Sequence, residues 1–206
     1  MNNSWNWLGL LVWVLIIAWL VFIVMNIRKR HLEMIVIDNK HHSVKNTVID
    51  ILEILIFAVA FLSMFYLALL NKVDFSSNKD VSLSYSVKPL VIQTENAQGY
   101  YVEAKQSDKK HIVQYYTYWT NGNKYNVPGN NATISYGKEP VSLRAKYYSW
   151  PDAKKYDQEY QSAYVMTMNA KYKNNVINGL GLRAGRHATD YSIIRVPAGT
   201  FVKMEK

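Results

Sequence analysis

The chain has no cysteine among its 206 residues, and this absence limits the classes of protein that it can encode. A secreted module held together by disulfides is excluded, because such modules rely on paired cysteines. A cysteine nucleophile is excluded too, and no G-x-S-x-G motif supplies a serine nucleophile. Beyond residue 72, only His111 and His187 could act as imidazole bases. We therefore expect no enzymatic activity and no cofactor.

Acidic residues are scarce as well, with 15 Asp and Glu against 24 Lys and Arg. Residues 73–206 hold 18 basic and 11 acidic side chains, a net charge of +7. Such a surface attracts polyanions through a salt-dependent field, although an ordinary basic surface would have the same composition. Near the C-terminus, Arg183, Arg186 and Arg195 are candidates for a partner surface, whereas the glycines of GLGLRAG lack the spacing of a nucleotide loop.

Charge is almost absent from two long stretches. Residues 5–27 contain no charged side chain, and 23 residues of helix rise about 34 Å, enough to cross a bilayer core of about 30 Å. A cleaved signal peptide is disfavoured, because the tail MNNS has no Lys or Arg and the apolar core is too long. The second stretch covers residues 48–70, of which 54–70 are free of charge. We predict two membrane spans, at about 5–27 and 48–70.

Two acids lie at the start of the second predicted span. Asp50 and Glu53 could form a functional site inside the membrane, where ionisable groups are expensive. They could equally lie at the membrane interface, where an acid in the first helical turn interacts favourably with the helix dipole. The interfacial reading is preferred, and the functional one stays open.

Basic residues between the two spans predict the orientation of the chain. By the positive-inside rule, the loop 28–47 is cytoplasmic, and both the N-terminus and the C-terminal domain are outside the plasma membrane. The predicted domains are a transmembrane hairpin, residues 1–72, and an extracytoplasmic domain, residues 73–206. The topology determinants are Arg28, Lys29, Arg30, Lys40 and Lys45.

The predicted outer domain has 15 of the 16 tyrosines and repeated alternation of apolar with polar residues, which is typical of half-buried strands. We predict an all-β fold, either a small sandwich or a partly open barrel. Residues 140–150 are predicted to be a strand paired with 131–137, and residues 191–197 are predicted to pair with 199–205. Residues 152–162 are expected to be a loop or short helix, and 174–190 to be irregular.

The stretch YYTYWTNGNKYNVPGNN, residues 115–131, predicts a β-hairpin turning at Asn121 and Gly122. Alternation places Tyr116 and Tyr118 on one face of the strand and Tyr115 and Trp119 on the other. One set is expected in the core, and the other faces solvent or a neighbouring strand. The candidate ligand surface comprises Tyr115, Tyr116, Tyr118, Trp119 and Tyr125, with a purely structural role for the rings as the preferred alternative.

The chain has three parts in a fixed order. The apolar stretch WNWLGLLVWVLIIAWLVFIVMNIRKR comes first, VIDILEILIFAVAFLSMFYLALL comes second, and a Tyr- and Asn-rich β tail follows both. This order of parts resembles the layout of uncharacterised small two-pass membrane proteins of lactic-acid bacteria and related Gram-positive bacteria. The resemblance covers the whole chain as a layout, and it implies a topology but no site residues.

Three functions are compatible with this sequence. The leading hypothesis is a non-enzymatic, membrane-anchored envelope protein whose β domain binds an anionic wall polymer or another envelope protein, and not nucleic acid. The second is an accessory or sensory subunit of a membrane complex that works through the transmembrane hairpin. An envelope hydrolase using Asp152, Asp157, Glu159 or Asp190 is the third, and it is disfavoured because loop acids between lysines are usually solvated.

Overall fold

The computed structural model describes residues 3–37, 43–71, 73–75, 79–106, 113–136 and 142–205. It divides into two compact units. The helical unit comprises Met1–Val73 and Tyr172–Arg186, and the β-rich unit comprises Asp74–Lys171 and His187–Lys206. The chain therefore passes between the units three times.

Within the described residues, four α-helices and ten strands are present. The helices are α1 (Ser4–Val36), α2 (Val44–Phe65), α3 (Ala153–Glu159) and α4 (Val176–Leu180). The strands are β1 (Val81–Pro89), β2 (Gln93–Glu95), β3 (Gln98–Tyr100), β4 (Val102–Gln106), β5 (Val113–Thr120), β6 (Asn123–Pro128), β7 (Ala132–Ser135), β8 (Tyr164–Tyr172), β9 (His187–Arg195) and β10 (Val202–Glu205).

Two long apolar helices open the chain, as the charge-free stretches predicted. The side chain of Asn3 caps α1 by accepting a hydrogen bond from the backbone N–H of Trp5 at 3.3 Å. Beyond Phe65, α2 continues as a π-helical turn, Tyr66–Leu70. By length and composition, both Ser4–Val36 and Val44–Leu70 could cross a membrane. The residues between them are described only in part, and Lys40 lies outside the described residues.

The two long helices run antiparallel and contact each other through aromatic rings. Trp13 meets Phe61 edge to face, with ring centroids 6.4 Å apart, and Trp19 meets Phe57 in the same way at 5.6 Å. Edge-to-face contacts of this kind stabilise a pair by about 0.5–1.5 kcal/mol beyond the area that they bury.

In the described part of the β-rich unit, the strands form two four-stranded sheets and a small two-stranded one. The strand orders are β1-β8-β9-β7 and β10-β4-β5-β6, with β2 paired to β3. Side chains from both large sheets meet in a common hydrophobic cluster, so the two sheets share one core. The buried members of this cluster are Leu90, Val102, Tyr118, Ala132, Ile134, Val165, Ile194 and Val196.

Two of the predicted strand pairings are wrong. Residues Leu143–Tyr147, predicted as strand, form a 3₁₀ helix, because the hydroxyl of Ser142 accepts a hydrogen bond from the backbone N–H of Arg144 and starts a helical turn. Strand β10 does not pair with β9. A 3₁₀ turn at Gly199–Phe201 separates them, and β10 pairs in parallel with β4 in the other sheet.

Candidate functional site

The aromatic hairpin forms as predicted, from strands β5 and β6. Asn121 and Gly122 both have positive φ, 47° and 76°, as a two-residue type I′ turn requires. This turn sets Thr120 opposite Asn123, and it sets Tyr118 opposite Tyr125. The register then decides which rings enter the core.

One face of the hairpin belongs to the core. Tyr118 is 5% exposed and its ring stacks on that of Tyr125, with centroids 5.5 Å apart. Tyr116 and Tyr125 are half-buried against the same cluster. Burial raises the pKa of Tyr116 and Tyr118 above the usual value of a phenol, so both remain neutral at physiological pH. These three rings therefore pack within the unit.

The opposite face of the sheet β10-β4-β5-β6 is open, and we call it the open sheet face. A groove of about 450 Å³ runs across it. Alternation places Tyr115 and Thr117 of β5 in this groove, and Tyr115 is 43% exposed. The lining residues are Glu103, Lys105, Tyr115, Thr117, Lys124, Asn126 and Glu205.

Side chains on the open sheet face are arranged in rows across the strands. In one row, Lys203 of β10 is opposite Glu103 of β4, which is opposite Thr117 of β5. The next row sets Glu205 opposite Lys105, which is opposite Tyr115. Cross-strand neighbours on one face lie about 5 Å apart, close enough for opposite charges to interact. Each row thus contains one acid and one base.

A second groove, of about 310 Å³, lies between the β2–β3 hairpin and β10. Lys203 lines it and joins it to the open sheet face, because its ammonium group lies 3.5 Å from a carboxylate oxygen of Glu103 and pairs with Glu95. The hydrogen bond with Glu95 is the main reason that the pKa of Lys203 is raised, so this group stays charged. The hydroxyl of Tyr100 donates to Glu103 at 3.0 Å.

Two rings next to these grooves have a cation over them. The ammonium of Lys124 lies 5.4 Å from the ring centroid of Trp119, and that of Lys203 lies 5.3 Å from the ring centroid of Tyr100. The two rings meet edge to face at 6.1 Å. These contacts hold the long lysine side chains against the sheet, which lowers the entropy lost when a ligand binds there.

The chemistry of the two grooves is polar and balanced in charge. Their walls hold three acids and three bases, together with hydroxyl, amide and aromatic groups. The acids are Glu95, Glu103 and Glu205, and the bases are Lys105, Lys124 and Lys203. Acceptors and donors alternate along the surface, an arrangement that suits a ligand with many hydroxyl or amide groups. A polyanion would meet as many negative as positive side chains here.

The three candidate arginines are divided between the two units. Arg183 belongs to the helical unit, where its Nε donates to Asn178 Oδ1 at 3.2 Å and its guanidinium lies 5.1 Å from the ring of Tyr172. Arg186 is exposed in the same unit. Arg195 belongs to the β-rich unit, where its side chain is only 12% exposed.

Arg195 is bound by an acid inside the β-rich unit. Its Nε and Nη2 donate to the two carboxylate oxygens of Asp157 at 3.0 and 2.9 Å, and its Nη1 donates to Ser135 Oγ at 3.0 Å. Burial would raise the pKa of Asp157, but the hydrogen bonds and charge of Arg195 outweigh it and lower the pKa. Burial is also the main cause that raises the pKa of neighbouring Tyr164 to about 12. The arginine is thus fully engaged.

Beside this ion pair is a smaller pocket of about 160 Å³. Trp150, Pro151, Met166 and Ile193 form its apolar wall, and Arg195 lies at its polar side. Three of the four acids considered for a hydrolase have partners that give them a structural role, and the fourth, Glu159, ends α3. Asp157 holds Arg195, Asp152 caps α3 by accepting from the backbone N–H of Lys154 at 3.1 Å, and Asp190 lies 3.4 Å from His187. Within the described ranges, no group of three His, Asp or Glu side chains could hold a metal ion.

The two acids of α2 pair with a base of α1. Arg30 Nη2 donates to Asp50 Oδ1 and to Glu53 Oε2, both at 2.6 Å. Asn26 donates to Glu53 at 3.1 Å, and His31 Nε2 lies 3.2 Å from Asp50. The predicted loop 28–47 is shorter in the structure, because α1 continues to Val36 and α2 begins at Val44. Arg28, Lys29 and Arg30 therefore lie within α1, and Lys45 lies near the start of α2.

Of the rings predicted as a ligand surface, Tyr115 lines the groove of the open sheet face, and the charged residues of that face were not among the predicted site residues. Alternation in VEAKQ placed Glu103 and Lys105 on one side of a strand, which was a usable signal. Lys203 and Glu205 could not be assigned to the same face, because their strand pairs with a partner about 100 residues away.

Comparison with known proteins identifies a family and nothing beyond it. A family model matches residues 4–203, and its description is the name of a Lactobacillus locus followed by "-like". None of the curated proteins and none of the solved structures matches the chain.

Proposed function

The chain belongs to the family that this model defines, and we propose that it is a non-enzymatic, membrane-anchored protein of the cell envelope. In this proposal α1 and α2 cross the plasma membrane, and the β-rich unit binds a partner outside it. The observation that carries the binding role is the open sheet face, with its paired charges and exposed ring of Tyr115.

The exposure of the long helices supports membrane anchoring. The most apolar 18-residue stretches of α1 and of Val44–Leu70 are rich in large aliphatic and aromatic side chains, yet only 11% of each stretch is buried. A core helix of a soluble protein would be mostly buried. Large apolar side chains such as Leu15, Phe22 and Leu62 are 58%, 62% and 62% exposed. Lipid is the solvent in which such a surface is stable.

The arrangement of basic residues supports an outward-facing β-rich unit. Arg28 and Lys29 lie in the C-terminal third of α1, and Lys45 lies near the start of α2. The positive-inside rule places these helix ends in the cytoplasm. The opposite ends of both helices, and the β-rich unit that follows Val73, are then extracytoplasmic.

Thiol labelling in intact cells tests this orientation, because the chain has no cysteine of its own. A cysteine at Ser43, between the helices, should resist a membrane-impermeant thiol reagent. A cysteine at Ser86, exposed on β1, should react with it. The reverse pattern would contradict the proposed topology.

The partner proposed for the open sheet face is an uncharged, hydroxyl-rich wall polymer. Balanced charge disfavours a phosphate-bearing polymer on this face, whereas alternating donors and acceptors beside aromatic rings suit a sugar chain. The +7 charge of residues 73–206 therefore comes from residues outside these grooves.

Retention of the full-length protein on isolated Gram-positive cell wall tests the binding role. With the protein held in lipid nanodiscs, Tyr115→Ala should weaken retention by at least about fivefold, corresponding to about 1 kcal/mol for a central contact. Tyr136→Ala is the matched control, since Tyr136 is similarly exposed, at 48% against 43%, and does not line the groove. Retention should persist after the phosphate-bearing polymer has been removed from the wall. Equal retention of both variants would refute this role.

A further inference from the structure

The connection between β8 and β9, Tyr172–Arg186, packs against α1 within the helical unit. The side-chain amide of Asn6 makes two bonds with the backbone of Ala184: it donates to the carbonyl at 3.0 Å and accepts from the N–H at 3.0 Å. Further along α1, the indole N–H of Trp13 donates to the carbonyl of Leu180 at 3.1 Å. The connection therefore follows α1 from Asn6 to Trp13.

Glycines bring the backbones of the two elements into direct contact. A β-carbon added to Gly9 would lie 1.9 Å from the carbonyl oxygen of Gly179, and one added to Gly179 would lie 2.4 Å from that of Trp5. On the side of α2, a β-carbon on Gly181 would lie 2.8 Å from the carbonyl oxygen of Ala68. Close approach through small residues is the way in which helices associate in lipid, where apolar surface alone provides no drive.

The position of Trp13 along α1 decides how deep this connection reaches. Trp13 comes eight residues after Trp5, which corresponds to about 12 Å along a helix. Trp13 must lie inside the bilayer core. If the core began only after Trp13, residues 14–27 would span about 21 Å of its roughly 30 Å before the charged Arg28 is reached. The turns of α1 at Gly9 and Trp13, which contact Gly179 and Leu180 of α4, therefore lie inside the membrane, and the end of α4 lies there with them.

The composition and bonding of the connection suit that depth. Its middle, VINGLGL, is free of charge, and Val176 is 48% exposed. Backbone N–H groups at this tip donate within the segment at three positions: Gly179 donates to the carbonyl of Asn175 at 2.9 Å, Gly181 to that of Ile177 at 3.2 Å and Leu182 to that of Gly179 at 2.9 Å. Irregular backbone is tolerated at membrane depth only when its polar groups are satisfied and covered by protein.

The polar side chain at the centre of the segment is satisfied as well. Asn178 is fully buried, and its amide donates to the carbonyl of Lys173 at 3.0 Å and accepts from Arg183 at 3.2 Å. Its backbone carbonyl accepts from the N–H groups of Arg183 and Ala184 at 2.9 and 3.1 Å. One asparagine thereby closes the loop that follows α4.

We propose that Tyr172–Arg186 is a third membrane-inserted element, which enters the outer leaflet and returns without crossing it. Acyl chains contact the exposed face around Val176, while the exposed guanidinium of Arg186 lies at the level of the lipid head groups. This inference rests on the membrane anchoring proposed above. Its consequence is that β8 and β9 are both attached, at Tyr172 and His187, to a segment held in the lipid.

Fluorescence quenching of the full-length protein in phosphatidylcholine vesicles tests this inference. A polarity-sensitive dye is attached to a single cysteine that replaces Val176. The matched control is Val91→Cys, since Val91 is a valine of similar exposure, 41%, in the β-rich unit. Dye at residue 176 should be quenched by lipids that carry a nitroxide on the acyl chain. Its quenching by aqueous iodide should be roughly tenfold weaker than that of dye at residue 91, because ions are excluded from hydrocarbon.

Two outcomes separate this inference from the anchoring on which it rests. If the labelled protein resists extraction by alkaline carbonate but dye at residue 176 is as accessible to iodide as dye at residue 91, the insertion is refuted and the anchoring stands. If carbonate releases the protein from the vesicles, both proposals fail. Resistance to extraction together with nitroxide quenching at residue 176 supports both.

Discussion

Replacing Gly9 by alanine should push α4 away from α1. The new β-carbon would lie 1.9 Å from the carbonyl oxygen of Gly179, whereas real contacts of this kind essentially never fall below 3.0 Å. The obstructing atom belongs to the backbone and cannot rotate away. The segment must therefore retreat from α1 by about 1 Å.

This retreat should break the hydrogen bond at Trp13. Its present length is 3.1 Å, and a further 1 Å would take it outside the range of a hydrogen bond. Interhelical hydrogen bonds in membranes contribute about 0.6 kcal/mol on average and up to about 1.7. With the two bonds of Asn6 strained as well, we expect docking of the connection to weaken by about 1–3 kcal/mol. Alanine also favours the helix itself by about 1 kcal/mol, so α1 should remain intact.

Trypsin cleavage after Arg183, whose side chain is held by Asn178 in the docked segment, measures this docking in the full-length protein. When opening is fast relative to cleavage, the rate follows the population of the open form. A loss of 1–3 kcal/mol should then accelerate cleavage by about 5- to 150-fold. Gly199→Ala is the control, because its nearest contact would be an ordinary 3.9 Å. Equal cleavage rates for wild type and Gly9→Ala would refute the close packing of α4 on α1.

Three further changes test other parts of the structure. Tyr118→Ala should destabilise the β-rich unit to urea by about 3–5 kcal/mol because it empties a buried site, whereas Tyr115→Ala on the open face should change stability by less than about 0.5 kcal/mol. Arg30→Gln should lower the free energy of unfolding of the helical unit in denaturing detergent by about 2–4 kcal/mol, since Asp50 and Glu53 lose their shared arginine. Lys29→Gln should have little effect, because the side chain of Lys29 is 76% exposed. The lowered pKa of Asp157 stabilises the fold at pH values above the ordinary carboxyl pKa of 3.8, and this contribution is lost as the pH falls through the native pKa. Asp157→Asn should therefore make the acid dependence of urea unfolding shallower.

Each of these changes has an outcome that would contradict its premise. Equal destabilisation by the two tyrosine variants would mean that the faces of β5 are not distinguished by burial. An effect of Lys29→Gln as large as that of Arg30→Gln would point to charge in general rather than to the three-way ion pair. An unchanged acid dependence in Asp157→Asn would mean that another carboxylate is responsible.

Local pattern was enough to predict the features that depend on near neighbours. The charge-free runs predicted both long helices, because helix length and side-chain polarity can be read directly along the chain. The Asn121–Gly122 pair predicted the hairpin turn, since few residues accept positive φ at two successive positions. Alternation along β5 correctly placed Tyr118 and Tyr115 on opposite faces, of which the structure buries the first and exposes the second.

Local sequence pattern predicted the wrong structure where a capping hydrogen bond or a distant partner determines the backbone conformation. Leu143–Tyr147 has the alternation of a strand, yet the capping bond of Ser142 starts a helical turn there. Residues 174–190 are predicted to be irregular, but α4 forms within them. The side chain of Asn175 caps α4, and Trp13 of α1 donates a hydrogen bond to its last residue, Leu180.

By itself, the sequence determined two apolar helices, a β-rich remainder and a hairpin with one aromatic face toward the core. Tertiary structure alone decided that β10 joins β4 and completes the charged rows of the open sheet face, and that the β8–β9 connection packs on α1. The physical reason is range. Periodicity and turn chemistry act between residues a few positions apart, whereas these contacts join segments about 100 and 170 residues apart, and only the packing of the whole chain selects them.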